Sequence, residues 1–203
     1  MLKYEYLNYF ELLLFNILLK YLNKNKLKQK IMKSLKMLVV AVIATLVSAT
    51  SFAQESKTVV ENAIGSKDHT TLVAAIIAAD LVETLSSEGP FTVFAPTNQA
   101  FANLPKGTVE TLLQPENKSK LQAILTYHVI AGNLDSKSVV AAITAGNGEA
   151  KVTTVQGGVL VAKLDGKNVI IVDENGNKST ITAVDIYSSN GVIHVIDSVV
   201  LPK

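Results

Sequence analysis

The chain of 203 residues contains no cysteine and no tryptophan. Without cysteine there are no disulfides, no thiolate metal site and no cysteine nucleophile, so stability rests on packing. The common catalytic frameworks are missing too: there is no G-x-S-x-G elbow, no H-E-x-x-H helix and no glycine-rich phosphate loop. Arginine is also absent, and every basic side chain is lysine. Residues 1–53 hold 8 of the 19 lysines and 2 of the 17 acidic residues, so residues 54–203 carry 11 lysines against 15 acids, a net charge of −4. An arginine-free segment with that balance is a poor partner for nucleic acid. What is plentiful is apolar material: 48% of the residues are hydrophobic, enough for one domain of ordinary size with a real core.

The first 31 residues read poorly as a folded element. Lysine and asparagine crowd positions 20–30, and the apolar run 12–19 is interrupted by Asn16 and is shorter than the roughly 20 residues that span a bilayer. From Met32 the pattern changes. Lys33 and Lys36 make a basic start, residues 37–47 are an unbroken run of apolar residues and threonine, and Ser51-Phe52-Ala53 is a small-x-small cleavage site. That is the tripartite pattern of a secretory signal peptide. Cleavage is expected between Ala53 and Gln54, with residues 1–31 as upstream sequence and translation starting at Met32. The competing reading is an uncleaved membrane anchor. No cysteine follows the run, which excludes a bacterial lipoprotein.

The remainder, 54–203, reads as helices first and strands second, an α+β domain. Helical spacing is expected over 58–64, 70–79 and 81–85, the second apolar nearly all round and therefore buried, with Asp68 as its cap. Further helical turns are expected at 108–113, from Pro115 to about residue 125, and at 138–143 behind a Ser136 cap. From Lys151 onward, glycine, asparagine and aspartate turns divide strands at 151–156, 159–164, 168–172, 180–186 and 192–200 into hairpins. The last of these is apolar at most positions, which suits a central strand covered on both faces.

Helical and strand halves meet at 91–105. Phe91, Thr92, Val93 and Phe94 are aromatic or β-branched, and so suit a strand. Pro96 ends the strand, Thr97 or Asn98 offers an N-cap, and a short helix follows with Phe101 and Leu104 on one face until Pro105. This stretch resembles the first signature of the fasciclin domain, an extracellular adhesion module. The run 125–132, centred on Tyr127-His128, resembles the family's central segment. Asn190-Gly191-Val192-Ile193-His194-Val195-Ile196-Asp197, followed by Val199-Val200-Leu201-Pro202, resembles its closing signature. The resemblance implies a strand wedge, or two-sheet β-sandwich, with helices packed around it.

It also implies a function. A secreted fasciclin-like protein, periplasmic or at the cell surface, would bind an extracellular protein or a polysaccharide without bond making, and the compact leader points to a bacterial source. No catalytic residue, cofactor or metal is expected. In animal fasciclin domains Tyr-His and Asp-Ile segments are taken as integrin contacts. By position these map onto Tyr127, His128, Asp185 and Ile186, the four candidate partner-binding residues. The competing reading is structural, since both pairs lie in apolar runs where Tyr and His anchor a core through one hydrogen bond each. An alternative function is a small apolar ligand carrier, with a pocket between helices and sheet lined by Phe91, Phe94 and Phe101.

Two other constellations offer weaker chemistry. His194 and Asp197 lie three apart in one strand, so their side chains point to opposite faces and form no catalytic pair. Asp173-Glu174-Asn175-Gly176-Asn177 has glycine fourth where a calcium loop needs it sixth, so a polar hairpin tip is expected. Asn117-Lys118-Ser119 and Asn177-Lys178-Ser179 fit the glycosylation pattern.

Overall fold

A computed structural model describes residues 57–203. The signal peptide and upstream segment expected over residues 1–53 lie outside the described residues.

The chain opens with helix α1 (Val59–Ile64), whose N-cap Thr58 exchanges hydrogen bonds with Glu61 in a capping box. A 3-10 turn, Lys67–His69, leads into α2 (Thr70–Ala78), and α3 (Val82–Ser86) follows. Strand β1 (Phe91–Pro96) comes next, then α4 (Asn98–Ala102), α5 (Thr108–Leu112) and α6 (Lys118–Tyr127). After the short β2 (Val129–Ala131) and α7 (Ser136–Ala145), five strands complete the chain: β3 (Glu149–Thr153), β4 (Val159–Asp165), β5 (Asn168–Val172), β6 (Lys178–Ser188) and β7 (Gly191–Ile196).

The strands form one mixed sheet in the order β2-β1-β7-β6-β5-β4-β3. β3 to β6 are joined by antiparallel hairpins, as the glycine and aspartate turns predict. β7 pairs antiparallel with β6 on one side and parallel with β1 on the other, so it is an interior strand as expected. Its parallel approach to β1 depends on Gly191, where a Cβ would stand 2.1 Å from the Phe91 carbonyl oxygen. β6 is the longest strand, and its pairing with β7 shifts register twice, between Ile181 and Ala183 and between Ala183 and Ile186. Its first part pairs with β5 and the rest with β7, so it hinges the two halves of the sheet. This is the wedge implied by the family resemblance, with helices packed around it.

Side-chain alternation along β1 feeds two apolar cores. Val93 and Ala95 face the helices and pack with Ile193, Leu72, Ile76, Phe101, Leu121 and Leu125. Phe94 faces the other way, into a core shared with Tyr127, Ile143, Leu160, Ile171 and Ile196. Each fully buried side chain of this size contributes about 1.5–3 kcal/mol.

Several local expectations are corrected. α2 is not buried all round: Ile77 is 57% exposed, because a single layer of helix covers the sheet and its outer side faces solvent. Asp68 does not cap α2. It lies inside the 3-10 turn capped by Ser66, and the Thr71 amide is instead met by the Asn98 side chain at 2.9 Å. Asp135, not Ser136, caps α7. The helix expected to end near residue 125 runs on to Tyr127. β7 stops at Ile196, because Asp197 turns its carboxylate to the Thr180 amide (2.7 Å).

Candidate functional site

Tyr127 is the last residue of α6 and His128 its C-cap, directly before β2. The helix carries Tyr127 into the second core, where it is 0% exposed. Its hydroxyl donates to the Val159 carbonyl (2.9 Å) and accepts from the Glu174 amide (3.2 Å). The ring fits only because residue 158 is glycine; a Cβ there would lie 2.7 Å from the ring. Burial raises the phenol pKa, against the Glu174 amide, which lowers it.

His128 is 3% exposed. Its Nδ1 lies 2.8 Å from the Ile124 carbonyl oxygen and its Nε2 accepts from the Val200 amide at 3.2 Å. These two bonds fix a neutral ring with the proton on Nδ1. Burial pushes its pKa from 6.5 down to about 4, with the Ile124 carbonyl and the Asp173 charge opposing. Both side chains are spent on tying α6 to β4 and to the chain after β7.

Asp185 and Ile186 sit on the irregular part of β6. Asp185 has φ +59, a left-handed conformation that aspartate tolerates better than most residues. The bulge aims its carboxylate at α7, where one oxygen accepts from the Ser136 amide (2.7 Å) and the other from the Ser136 hydroxyl. Asp135 accepts from the Ser138 amide (2.8 Å) at the same helix start, and Ser138 holds its carboxyl below the usual range. Two carboxylates thus answer free amides where the helix dipole favours negative charge. The Asp185 amide in turn points at Nδ1 of His194 (3.4 Å).

Ile186 is different. It pairs with Ile193 yet remains 38% exposed, and with Val184 (46%) and Tyr187 (64%) it forms an exposed apolar stretch on β6. Of the four candidate partner-binding residues, then, Tyr127 and His128 are buried, Asp185 is engaged with α7, and Ile186 reaches solvent. No hydrogen bond joins the first pair to the second.

His194 is 0% exposed, with Nε2 on the Leu134 carbonyl (2.7 Å) and its ring 5.9 Å from that of Phe94. Asp197 lies just past the end of β7 and bonds elsewhere, to Thr180 and Ser179, and no hydrogen bond joins it to His194. The segment after β5 is a hairpin tip: Asp173 is 5% exposed and accepts from the amides of Asn175, Asn177 and Leu201. Among the described residues no group of three or more His, Asp or Glu is placed to hold a metal ion. No helix among them is long and apolar enough to cross a membrane.

A cavity does lie between α1, α2 and the sheet, but none of Phe91, Phe94 and Phe101 lines it. Its wall includes Val59, Val60, Leu72, Ile76 and Ile193, and its volume is about 60 Å³, well short of the roughly 300 Å³ at which small-molecule sites begin. Phe94 is excluded because alternation along β1 sends it to the opposite core.

Two connectors went unread in the sequence. Asn190 is buried and accepts from the Val59 amide while donating to the Leu85 and Ser87 carbonyls, joining the helical layer to β7. Glu174 meets the Val159 and Lys203 amides. Neither has a local signal, because their partners lie 15 to 131 positions away.

Comparison with known proteins places these features in a family. The fasciclin domain matches residues 67–202. Protein sll1483 of Synechocystis is 54% identical over 146 residues, covering 71% of this chain and 73% of that protein. Human periostin is 35% identical over 135 residues, 66% of this chain but 15% of periostin. A solved domain pair from the insect cell adhesion molecule fasciclin I aligns with a TM-score of 0.48 at 23% identity, covering 62% of this chain and 42% of that one.

Proposed function

The chain belongs to the fasciclin domain family, and from that premise we propose that it is a secreted adhesion module. It binds an extracellular protein or polysaccharide at a cell surface or in a matrix, by surface complementarity and without bond making. The observation that carries this reading is the apolar stretch Val184, Ile186 and Tyr187, exposed on a strand whose backbone is locked by the Asp185 bonds to Ser136. Exposed apolar groups on a rigid element are what an interface uses. Ile186 is assigned as a direct contact and Asp185 as the residue that positions it, while Tyr127 and His128 support the scaffold. Many copies on one surface multiply a weak contact, since avidity can exceed single-site affinity by about 10² to 10⁴. The cavity between helices and sheet, at about 60 Å³, is too small for the small apolar ligand of the carrier reading.

Beads coated with the purified protein should be retained on native cell surface or matrix, and Val184→Ser with Tyr187→Ala, at the two more exposed positions of the stretch, should abolish retention at nearly unchanged melting temperature. Equal retention by the double variant would overturn the assignment of this surface. The secretory part has its own test: the exported protein should begin at Gln54, and a retained Met32 would refute cleavage.

A further inference from the structure

After β7 the chain crosses the end of both cores as a strap. Both ladders of β7 stop at Ile196. Buried Ser179 then pins the base of the strap, accepting from the Ser198 amide (3.1 Å) and donating to the Ser198 carbonyl (2.8 Å). Val199 enters the helical core and Val200 the second core, so two consecutive residues close both. The Val200 amide donates to His128 Nε2 (3.2 Å), the Leu201 amide to Asp173 (3.0 Å) and the Lys203 amide to Glu174 (3.4 Å). The Asn175 side chain donates to the Leu201 carbonyl (2.9 Å). From Val199 onward these bonds join strap backbone to side chains of other elements, so the strap lies outside the ladders that hold the sheet.

One of these bonds depends on the absence of a proton. The Ile124 carbonyl takes the His128 Nδ1 proton, which leaves the Nε2 lone pair for the Val200 amide. A second proton on Nε2 would set one N–H against another and place a charge in a buried site. Moving the strap aside relieves both. The surroundings of the ring offer little to hold that charge. β1 and β2 carry no titratable side chain. On α6, Tyr127 is bonded to Val159, and Lys118 and Lys120 stand in the first turn, at the far end from His128. On the strap side, Asp197 is turned to Thr180 and the Lys203 amide to Glu174. Asp173 favours a charged ring, but its carboxylate already accepts from the amides of Asn175, Asn177 and Leu201. Burial is the larger effect and opposes both Asp173 and the Ile124 carbonyl.

We propose that residues 199–203 are an acid-released strap: a proton on His128 breaks its hold on the Val200 amide, and the strap swings out from its pivot at Ser198 while the sheet stays folded, uncovering the ends of both cores. This is a partial opening, distinct from the loss of the whole fold, and it does not depend on the adhesion reading above.

The test is amide hydrogen exchange by NMR on the full-length protein at pH 7 and pH 5, in a series of sub-denaturing urea concentrations, with rates corrected for the intrinsic pH dependence of exchange. Opening of the strap exposes little surface, so the Val200 and Leu201 amides should exchange with little dependence on urea, while the slowest amides of β5 and β7 follow urea in full. From pH 7 to pH 5 the opening of the strap should increase about 20-fold, the ratio set by a ring that titrates at 6.5 when exposed and at about 4 when covered. His128→Gln keeps an acceptor for the Val200 amide but takes up no proton, so its strap should open equally at both pH values. Strap amides that follow urea as the strands do would overturn the proposal. So would opening in the parent that does not grow with acid, or that grows equally in His128→Gln. If that variant does not fold, the urea and pH dependences of the parent still decide.

Discussion

Replacing His128 with alanine tests whether the most motif-like residue of the chain is scaffold. The ring is neutral and buried, and holds the Val200 amide and the Ile124 carbonyl at once. Its removal strands the Val200 amide in a site where Val200 is 1% exposed. A buried group left unpaired costs about 1–3 kcal/mol, and the missing ring adds a cavity, so a loss of about 2–4 kcal/mol is expected at pH 7. The same ring predicts a pH dependence. Its pKa falls from 6.5 in the unfolded chain to about 4 in the fold. Between those values the unfolded state binds more protons, so stability is fully present above about 6.5 and is lost as pH falls towards 4. With about 1.36 kcal/mol per pKa unit, the loss is about 2 kcal/mol by pH 5 and about 3 by pH 4. His128→Ala cannot titrate there, so its deficit relative to the parent should shrink by about 2 kcal/mol between pH 7 and pH 5. Urea melts of both proteins at the two pH values measure this difference, and other titrating groups cancel in it. A deficit unchanged with pH would show that the ring is not held neutral, and an absent deficit with lost partner binding would make His128 a contact residue.

Tyr127→Phe should cost about 1–3 kcal/mol in a thermal or urea melt, because the Glu174 amide loses its acceptor and the Val159 carbonyl its donor. Asp185→Ala should cost about 1–3 kcal/mol, combining a left-handed backbone with the lost bonds to Ser136, and Asp185→Asn should cost less than half of that; equal losses would discount the backbone contribution. Gly191→Ala should cost about 3 kcal/mol or prevent folding, since its Cβ meets the Phe91 carbonyl at 2.1 Å, while Gly65→Ala, with nothing nearer than 3.5 Å, should melt with the parent.

The order of elements was legible because its signals are local. Thr97 caps α4 through the Ala100 amide (3.2 Å), Pro96 closes β1, and Asn168–Val172 is bounded by turns on both sides. The interior position of β7 was legible from its apolar run. Errors arose where a distant partner decided. Asn98 serves α2 from 27 positions away, which no cap rule applied around Asp68 detects. The register shift between Ala183 and Ile186 is held by the bonds of Asp185 to α7, 49 positions earlier, and leaves no mark in the alternation of 178–188. The cavity wall was misread for a related reason: Phe94 and Val93 look equally apolar, and only the pleat decides which of them meets the helices.

The bulge in β6 separates the family's signature residues from the exposed apolar stretch of this chain. The signature residues form the interior: Thr92, Phe94, Tyr127, Val192 and His194 are all 2% exposed or less, and their polar atoms are taken. A buried, satisfied group has nothing to offer a partner, so the residues that identify the fold cannot choose what it binds. An unbroken β6 would alternate regularly and set each side chain on one side of the sheet. The shifts around Asp185 instead leave Val184, Ile186 and Tyr187 all exposed in one short stretch. The cost of the left-handed Asp185 is offset by its two bonds to Ser136, so the irregularity is held in place by the fold. On the proposed function, partner choice depends on a handful of side chains whose backbone is fixed from below, and changes at the more exposed 184 and 187 should alter binding with little change in stability.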